Sequence, residues 1–347
     1  NHDPVDGHLR RPSAKIIGYG GGFHFEEDGG DFTRAVHRCT GVGNCRADRF
    51  DAGFFMCPSY DATKDEKDVT RGRARVLQEL AQGDLVTSWD SPELLESLDL
   101  CLSCKACSRD CTTGIDVARY RSEVLFRAYK GKLRPRTHYT LGNLPTLAGL
   151  VTKVPGLAWL ANTVMSIGWI RKLGFRIAGI DPRRQMPRFL TERFSRSSAA
   201  KALVPAGAAC SPTEVGEPRN TSVHDLIDAG LSPDLAGTRY VMLWADSFSE
   251  TLDARGAQAE IEVLQRAGYT VILPPQEICC GLTSISTGQL TAAKKHLTRL
   301  LDTLAPFAAT GIPIVGVEPS CTAVLRSDLT DLLPDDPRSG LVSAMTY

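Results

Sequence analysis

The sequence predicts an α+β multidomain chain in which a small α-helical, metal-binding domain is followed by an α/β domain with a parallel sheet. Seven of the eleven cysteines lie between Cys39 and Cys111, among short stretches with helical periodicity. From Arg239 onward, short apolar strands alternate with helical patterns, which is typical of parallel α/β sheets. The length of 347 residues suits about two domains.

The composition narrows the class of protein. The chain is 42% hydrophobic and 23% charged, which is ordinary for a globular protein and excludes wholesale disorder. Forty basic residues balance forty acidic ones, so the net charge gives no reason to expect a nucleic-acid partner. The sequence shows no secretory signal pattern, and the uncharged stretch from Val154 to Ile170 falls short of the ~20 apolar residues of a spanning helix. We therefore expect a cytoplasmic protein whose grouped cysteines bind metal rather than form disulfides.

The sequence of the first 34 residues indicates a connecting segment rather than a separate domain. Residues 1–34 are rich in glycine and proline and carry mixed charge, so we interpret them as an extended connector from an upstream domain. The chain begins at Asn1 without an initiator methionine and stops at Tyr347 within a predicted helix, so we expect a segment of a longer protein. The tract from Gly18 to Gly22 precedes no convincing helix and is predicted to be a loop rather than a nucleotide site.

The helical metal domain is predicted over residues 35–135. Apolar and small residues between Thr70 and Leu80 recur with a helical period. A second helix is predicted to begin after Ser91, which is a good N-cap, and to end at Leu98. A third helix is predicted from Ile115 to Lys130. Helices of this length between cysteine loops indicate a small α-helical metal domain.

Residues 136–194 form an apolar segment with few charges and two tryptophans, Trp159 and Trp169. One interpretation is a set of helices packed on neighbouring protein. The other is a peripheral patch on the inner face of the cytoplasmic membrane, with cations near the head groups: Lys153, Arg171, Lys172 and Arg176. Residues 195–235, crowded with serine, alanine, glycine and proline, are predicted to be a flexible linker in which Cys210 serves no cluster.

The remainder, residues 236–347, is predicted to be the α/β domain, truncated at its end. The predicted strands are Tyr240–Ala245, Thr270–Leu273 and Pro313–Val317, and the predicted helices are Ala257–Ala267, Gln289–Leu304 and Thr322–Leu333. Strand–helix repetition of this kind predicts parallel pairing.

The strongest motif is the run of four cysteines at positions 101, 104, 107 and 111. Its C-x2-C-x2-C-x3-C spacing is that of bacterial ferredoxins, with Thr112 where a proline usually follows. The short spacing allows Cys101, Cys104 and Cys107 to hold three corners of a 4Fe-4S cubane, while Cys111 points to another cluster. A structural zinc site would favour two separated C-x2-C pairs instead.

A second, degraded run lies upstream. Cys39 and Cys45 have the outer spacing of C-x2-C-x2-C, but Val42 stands where the middle thiolate belongs, and the partner before a proline is Cys57. Crossed ligation then predicts one complete 4Fe-4S set, which comprises Cys57, Cys101, Cys104 and Cys107. The other set, Cys39, Cys45 and Cys111, is one thiolate short, so we expect a 3Fe-4S cluster or a 4Fe-4S cluster with a non-cysteine ligand. His37 is nearby but is more typical of a surface residue.

A third group of polar residues follows the predicted strands. Ser247, Cys279 and Cys321 each follow the carboxyl end of a strand, where open α/β sheets gather their ligands, so we expect them to converge. Cys279, Cys280 and Cys321 are candidates for a further metal site, and a vicinal disulfide at Cys279 and Cys280 is another possibility. Alternatively, the residues after the strands are small buried residues without redox function.

These tracts resemble a known protein family. The resemblance is carried by residues 31–36, 39–46, 56–60 and 70–75, and by 243–248, 279–281 and 318–321. They are similar to the iron–sulfur half of FAD-linked 2-hydroxy-acid dehydrogenases of the D-lactate, D-2-hydroxyglutarate and glycolate type. The resemblance covers nearly the whole chain. It implies a ferredoxin-like α-helical domain followed by a cysteine-rich CCG domain, as in heterodisulfide reductase and anaerobic glycerol-3-phosphate dehydrogenase subunits.

The resemblance also implies cofactors and partners. In that family the hydroxy acid is oxidised at a flavin, and electrons leave through the iron–sulfur half to a downstream acceptor. We expect FAD on an upstream domain or a flavoprotein subunit and no FAD site in this segment, which alone should not turn over substrate. Ser247 and Glu318 replace two cysteines of a full CCG repeat, so Cys279, Cys280 and Cys321 keep three of its five thiolates.

Two other functions fit the same motifs. The chain is alternatively a stand-alone iron–sulfur subunit of a glycerol-3-phosphate dehydrogenase-like or heterodisulfide reductase-like complex. The third hypothesis is a scaffold stabilised by zinc, without electron transfer. Metal content separates the last hypothesis from the others, and the reading frame upstream separates the first two.

Overall fold

The computed structural model describes residues 14–47, 53, 56–203, 234–235 and 238–347. Cys210 and most of the predicted linker lie outside these residues. The chain divides into two compact units. Unit 1 extends to Leu133 and includes the later segment Ile285–Thr291, and unit 2 comprises Arg134–Ser284 and Ala292–Tyr347.

The regular secondary structure in the described residues of unit 1 is all helical. Its helices are α1 (Phe32–His37), α2 (Pro58–Thr63), α3 (Thr70–Gln82), α4 (Pro92–Asp99), α5 (Ala106–Asp110) and α6 (Val117–Ala128), with short 3₁₀ turns at Glu26–Asp28, Asn44–Arg46 and Glu66–Asp68. The three helices predicted in this region are therefore present, with ends shifted by one or two residues.

Local sequence explains where several of these helices begin and end. The Asp31 side chain accepts a hydrogen bond from the Thr33 N–H, and Asp116 does the same for the Arg119 N–H, so both aspartates cap helix N-termini. Proline occupies the first turn of α2 and of α4, where its missing N–H costs nothing. Gly83 ends α3 in the left-handed conformation (φ 80°), which glycine adopts without strain.

The prediction that residues 1–34 form an extended connector is wrong for residues 15–34. Phe23 is fully buried, and its backbone N–H donates to the buried carboxylate of Glu123 on α6 over 2.9 Å. Phe25 and Phe32 pack ring to ring at 5.4 Å, and Phe32 also meets Tyr120 at 5.7 Å. The glycines there form turns between these aromatic anchors, so composition alone suggested a connector where the tertiary structure makes a core.

Unit 2 begins with an apolar helical layer and continues into the α/β fold. Its helices are α7 (Arg136–Thr140), α8 (Leu144–Lys153), α9 (Leu157–Ser166), α10 (Gly168–Ala178), α11 (Ser198–Lys201), α12 (Ser247–Thr251), α13 (Arg255–Arg266), α14 (Leu282–Ser286), α15 (Leu290–Ala309), α16 (Pro319–Ala323), α17 (Leu329–Leu332) and α18 (Arg338–Ala344). The first residues of α15 and the last of α14 belong to unit 1.

The sheet of unit 2 has the predicted parallel core. Its strands are β1 (Asp234–Leu235), β2 (Thr238–Trp244), β3 (Thr270–Ile272) and β4 (Ile314–Gly316). Strand β2 pairs in parallel with both β3 and β4, with Met242 opposite Ile272 and Ile314, and β1 adds an antiparallel edge. Because β2 is central, its residues from Val241 to Trp244 are all buried.

Two predictions in unit 2 need correction. Residues 195–203 are not linker, because they form a 3₁₀ turn and α11, and Phe194 and Ala200 pack in one core cluster with Val241 and Leu243. The predicted helix Thr322–Leu333 is interrupted by a π-helical stretch at Val324–Asp328 between α16 and α17. Apolar burial fixes the first of these elements, although its serine- and alanine-rich sequence is typical of a linker.

No single helix in the described part of the chain is long and apolar enough to cross a membrane. Helices α8 and α9 together reach that length and apolar composition, but the chain bends by 118° between them.

Candidate iron–sulfur site

Four cysteines from two separate stretches of unit 1 line one cavity, which we call the first cysteine cavity: Cys57, Cys101, Cys104 and Cys107. Cys57 is the residue before α2, and Pro58 at the start of that helix fixes where the chain turns. Cys101 and Cys104 lie in the loop between α4 and α5, and Cys107 lies in α5.

The loop that carries three of these cysteines curves tightly. Ser103 and Lys105 both have left-handed backbone conformations, with φ of 52° and 58°. Such conformations are uncommon for residues with a Cβ and occur where the surrounding structure requires a turn. The loop brings Cys101, Cys104 and Cys107 to the cavity, as expected of a C-x2-C-x2-C cluster loop.

The sulfur of Cys107 is buried and accepts a hydrogen bond from the Val117 N–H at the start of α6, with an N–S distance of 3.4 Å. Burial raises the pKa of the Cys107 thiol well above its usual range. A buried thiolate therefore needs a compensating positive charge, which metal coordination supplies.

Arg73 is a contact of this cavity that the motif analysis did not single out. It is 1% exposed, and its guanidinium donates to the Ser97 carbonyl at 2.8 Å, to Ser59 Oγ at 3.0 Å and to Cys57 Sγ at 3.5 Å. The helical periodicity of the sequence could have indicated that Arg73 is buried, because Arg73 lies four residues before the buried Leu77, on the apolar side of α3.

The environment of Cys57 favours its charged form. Burial disfavours the thiolate, but the Ser59 hydroxyl, the Tyr60 N–H and the charge of Arg73 outweigh it, so that the pKa of Cys57 is lowered. In the described structure, the Arg73 guanidinium donates hydrogen bonds to two neutral oxygens, those of Ser97 and Ser59, and to one ionisable group, the Cys57 thiol. An anionic centre at Cys57 would therefore be the natural counter-charge of a buried guanidinium.

The second cysteine cavity is lined by Cys39, Cys45 and Cys111, together with Val42 and neighbouring backbone. Cys45 lies in the 3₁₀ turn after Gly43, and Cys111 immediately follows α5. Burial raises the pKa of Cys45 to about 11. Burial acts in the same sense on Cys111, but hydrogen bonds from Thr113 (3.2 Å to Sγ) and nearby N–H groups lower its pKa overall.

The two cavities divide the cysteines in the crossed manner that the spacing predicts. Cys111 belongs to the same motif as Cys101 but lines the other cavity, and Cys57 joins the downstream cysteines. Val42, which stands where the eighth thiolate of two four-cysteine sets would lie, borders the second cavity and is 70% exposed. His37 is absent from the described lining of either cavity, and its Nδ1 lies 2.7 Å from the Thr33 carbonyl oxygen. The ligand roles themselves stay predictions.

Within the described residues, no three Cys, His, Asp or Glu side chains converge closely enough to hold a single metal ion.

The third cysteine group converges in unit 2 as its positions after the strands predict. Cys279 contacts both Cys280 and Ser247 through side-chain hydrogen bonds, and Cys280 contacts Cys321. All three cysteines are free thiols. The contact with Cys280, together with burial, raises the pKa of Cys279, which keeps its thiol neutral. Glu318 caps α16 by accepting the Cys321 N–H at 2.6 Å.

Comparison with known proteins supports an iron–sulfur identity for unit 1. The profile of the 4Fe-4S dicluster domain family matches residues 27–115, which include both cysteine cavities. No solved structure matches the chain.

Relatives extend the similarity over most of the chain. It is 26% identical to D-2-hydroxyglutarate dehydrogenase of Pseudomonas putida over 332 residues, covering 86% of this chain and 30% of that protein. It is 22% identical to the probable glycolate oxidase iron-sulfur subunit of Bacillus subtilis, covering 81% and 58% respectively. A 98-residue stretch is 32% identical to lactate utilization protein A of Bacillus velezensis, covering 28% and 39%.

The chain therefore spans about 30% of the length of the D-2-hydroxyglutarate dehydrogenases that it matches. These similarities confirm the resemblance predicted from the cysteine motifs: the chain is an iron–sulfur protein with an electron-transfer role and a 4Fe-4S dicluster domain, related to 2-hydroxy-acid dehydrogenases and to the iron–sulfur subunit of a glycolate oxidase.

Proposed function

We propose that this chain is the iron–sulfur electron-transfer part of an FAD-dependent 2-hydroxy-acid dehydrogenase and carries electrons from the flavin to a downstream acceptor. The observation that carries the proposal is the crossed division of seven cysteines from two separate motifs between two cavities, within a matched dicluster domain. The similarity to D-2-hydroxyglutarate dehydrogenases and to a glycolate oxidase iron-sulfur subunit supports the substrate class.

The donor set of the first cysteine cavity suits a 4Fe-4S cluster, which accepts and releases one electron at a time when bound. Cys57, Cys101, Cys104 and Cys107 would hold it, the Val117 N–H would stabilise the Cys107 thiolate, and Arg73 would balance the negative charge at Cys57. These contacts are of the kind that adjusts reduction potentials in iron–sulfur proteins.

The second cysteine cavity supplies three thiolates, Cys39, Cys45 and Cys111. We propose a cluster there that is either 3Fe-4S or a 4Fe-4S cluster whose fourth ligand is not cysteine. Val42 marks the position at which the additional thiolate would enter.

The flavin is proposed to lie on another domain or on a flavoprotein subunit, and the segment alone is proposed not to turn over substrate. Sequence reasoning supports this division, since the chain carries no convincing glycine-rich strand-to-helix fingerprint for a dinucleotide. The cytoplasmic location expected from the cysteine usage stays a prediction.

A stand-alone iron–sulfur subunit is the second candidate, and a specific observation favours it. The similarity covers 58% of the length of the probable glycolate oxidase iron-sulfur subunit, a protein that is named as a separate subunit. The coding sequence immediately upstream distinguishes the candidates: a continuous reading frame into a flavin domain supports fusion, and a separate start codon supports a subunit.

The deciding experiment measures electron flow. The anaerobically purified chain is mixed with D-2-hydroxyglutarate, D-lactate or glycolate and an artificial electron acceptor, with and without the flavoprotein half. We expect no turnover without the flavoprotein, and reduction of the clusters only when it is present. Turnover by the chain alone would overturn the proposal, as would stoichiometric zinc in place of iron and sulfide.

A further inference from the structure

The helical layer α8–α10 of unit 2 exposes an unusual amount of apolar surface. Nine large apolar side chains there are between 39% and 70% exposed: Leu147, Leu150, Val154, Trp159, Leu160, Ile167, Trp169, Leu173 and Ile177. We call this surface the α8–α10 face. Isolated exposed apolar side chains are ordinary, but a contiguous set on neighbouring helices marks an interaction site.

Helical spacing places these residues in stripes. Trp169, Leu173 and Ile177 follow one another at intervals of four along α10, so they share one side of that helix. Leu147, Leu150 and Val154 recur at intervals of three and four along α8 and its C-cap. Helices α8 and α10 therefore each present an apolar stripe that no described residue covers.

The layer is a folded element. Asn162 of α9 both donates to the Phe189 carbonyl (2.7 Å) and accepts from the Phe189 N–H (2.9 Å), which ties the following segment across the helices. Thr140 Oγ donates to the Ala178 carbonyl at 3.1 Å, which fixes the end of α10. Beneath these contacts lies a mainly apolar cavity of about 610 Å³ between α9, α10 and residues 185–189.

The charges around this face have one sign. Residues 141–190 contain seven lysines and arginines but a single acid, Asp181, whose carboxylate is paired with Arg183 at 2.6 Å. Lys172 and Arg176 are exposed and lie three and seven residues after Trp169, so they flank the α10 stripe. The whole chain has no net charge, so this excess of cations is local.

Apolar stripes, tryptophans and a cationic rim are together complementary to one surface, an anionic lipid bilayer. Tryptophan and tyrosine favour the boundary between head groups and hydrocarbon, while lysine and arginine attract anionic lipids. A protein partner for so uniformly cationic a rim would need a matching acidic surface, whereas anionic lipids supply that charge anywhere on the membrane. We propose that the α8–α10 face docks this protein peripherally on anionic membranes, with Trp169, Leu173 and Ile177 inserted at the interface.

Vesicle sedimentation tests this with the 347-residue holoprotein. Vesicles of phosphatidylcholine alone are compared with vesicles containing about one third phosphatidylglycerol, at low and high salt. We expect binding to the anionic vesicles at low salt, a marked loss at high salt, and little binding to neutral vesicles. Binding should also shift the tryptophan emission to the blue, because Trp159 and Trp169 are exposed, whereas Trp244 is already buried.

Variants distinguish membrane binding through the α10 stripe from nonspecific effects of substitution. Leu173→Glu should abolish the blue shift and weaken binding to anionic vesicles at least tenfold. The double variant Lys172→Gln with Arg176→Gln should weaken that binding about fivefold for each cation removed. Val263→Glu is the matched control, since Val263 is 62% exposed and lies on α13, which is not part of the α8–α10 face. It should bind as the unmodified chain does.

Three outcomes would overturn the proposal: no binding to anionic vesicles, an equal loss in the Val263→Glu control, or unchanged binding by Leu173→Glu. A change of oligomeric state in Leu173→Glu with unchanged vesicle binding would assign the face to a second copy of the chain, and loss of flavoprotein binding would assign it to that partner. Iron content is measured in every variant, so failure of membrane docking is distinguishable from failure of the cluster assignment.

Discussion

Cys104 offers the cleanest test of a cluster ligand at the scale of a single residue, because its side chain is exposed and packs little. Cys104→Ser should therefore leave the apolar core intact while it removes one corner of the first cysteine cavity. We expect loss of about four iron atoms per chain and a less stable unit 1, because cluster binding is coupled to folding. Iron and sulfide analysis with circular dichroism measures both effects.

The matched control for that variant is Cys210→Ser, since Cys210 is predicted to serve no cluster. It should retain the iron and sulfide of the unmodified chain. If Cys104→Ser also keeps all its iron, the first cysteine cavity has been assigned the wrong ligand.

Arg73 is the second residue whose role can be measured. Removing a buried positive charge next to Cys57 should make the adjacent cluster harder to reduce, so Arg73→Gln should lower its reduction potential by on the order of 100 mV. Arg73→Lys keeps the charge and should retain most of the potential while losing the forked contact with Ser59 and Cys57. Potentiometric titration followed by electron paramagnetic resonance measures both clusters in the same sample.

The cluster of the second cysteine cavity is the internal reference for that titration. Its potential should change little in Arg73→Gln. A shift of equal size in both clusters, or no shift in either, would show that Arg73 acts only in packing.

At the scale of an element, we propose that the loop from Cys39 to Cys45 decides how many irons the second cavity holds. Val42 stands at the open corner and is 70% exposed, so Val42→Cys adds a thiol without disturbing the core. We expect the unmodified chain to give a 3Fe-4S signal readily on exposure to air, and Val42→Cys to suppress that signal by completing a 4Fe-4S set. Electron paramagnetic resonance of the oxidised protein provides the measurement.

Val42→Ser is the control, because it makes a similar change in size and polarity without a thiol. It should behave as the unmodified chain does. Two indistinguishable all-cysteine 4Fe-4S clusters in the unmodified chain would contradict the ligand assignment.

The contact between α12 and the segment before α11 should make unit 2 sensitive to pH. Burial, and then the nearby Glu277, raise the pKa of Glu250 to about 6, although Ser195 and Arg193 act in the opposite sense. The ordinary value is lower, so the folded state takes up a proton that the unfolded state releases. The stability is therefore greatest below the ordinary pKa and falls as the pH rises through about 6, by about 1 kcal/mol.

Urea unfolding between pH 5 and pH 7, followed by intrinsic fluorescence, measures this dependence. Glu250→Gln cannot titrate and should show a flatter profile than the unmodified chain over the same range. An identical slope in both proteins would remove Glu250 as the cause.

At the scale of the whole molecule, the two units should respond differently to loss of iron. Unit 1 places seven cysteines around its two cavities, whereas unit 2 has its own apolar core around β2. Removing iron with a chelator should therefore increase amide hydrogen exchange throughout unit 1 and leave β2, β3 and β4 protected.

The segment Ile285–Thr291 makes this prediction specific. It follows the sheet strands β2 and β3 in sequence but belongs to unit 1, where the Arg121 guanidinium donates to the Ser286 carbonyl at 2.5 Å. A Cβ added at Gly288 would lie 2.5 Å from that of Leu125, so the segment packs closely on α6. Its exchange should rise with unit 1 on loss of iron. Exchange that stays slow with the sheet would contradict the division into units.

The cysteine spacing by itself predicted the crossed grouping of thiols, because a C-x2-C-x2-C-x3-C run directs its fourth cysteine to another cluster. The family resemblance came from the tracts around the cysteines and after the strands. Alternation of strands and helices likewise determined the parallel sheet and the convergence of Cys279, Cys280 and Cys321 at its edge. Only the tertiary structure decided which glycine-rich and serine-rich segments fold. Phe23 and Phe194 are buried by residues far away in sequence, Glu123 and Val241 among them, and local composition carries no record of such partners. The contact of Arg73 with Cys57 likewise forms only in the folded chain, where the guanidinium is buried away from water.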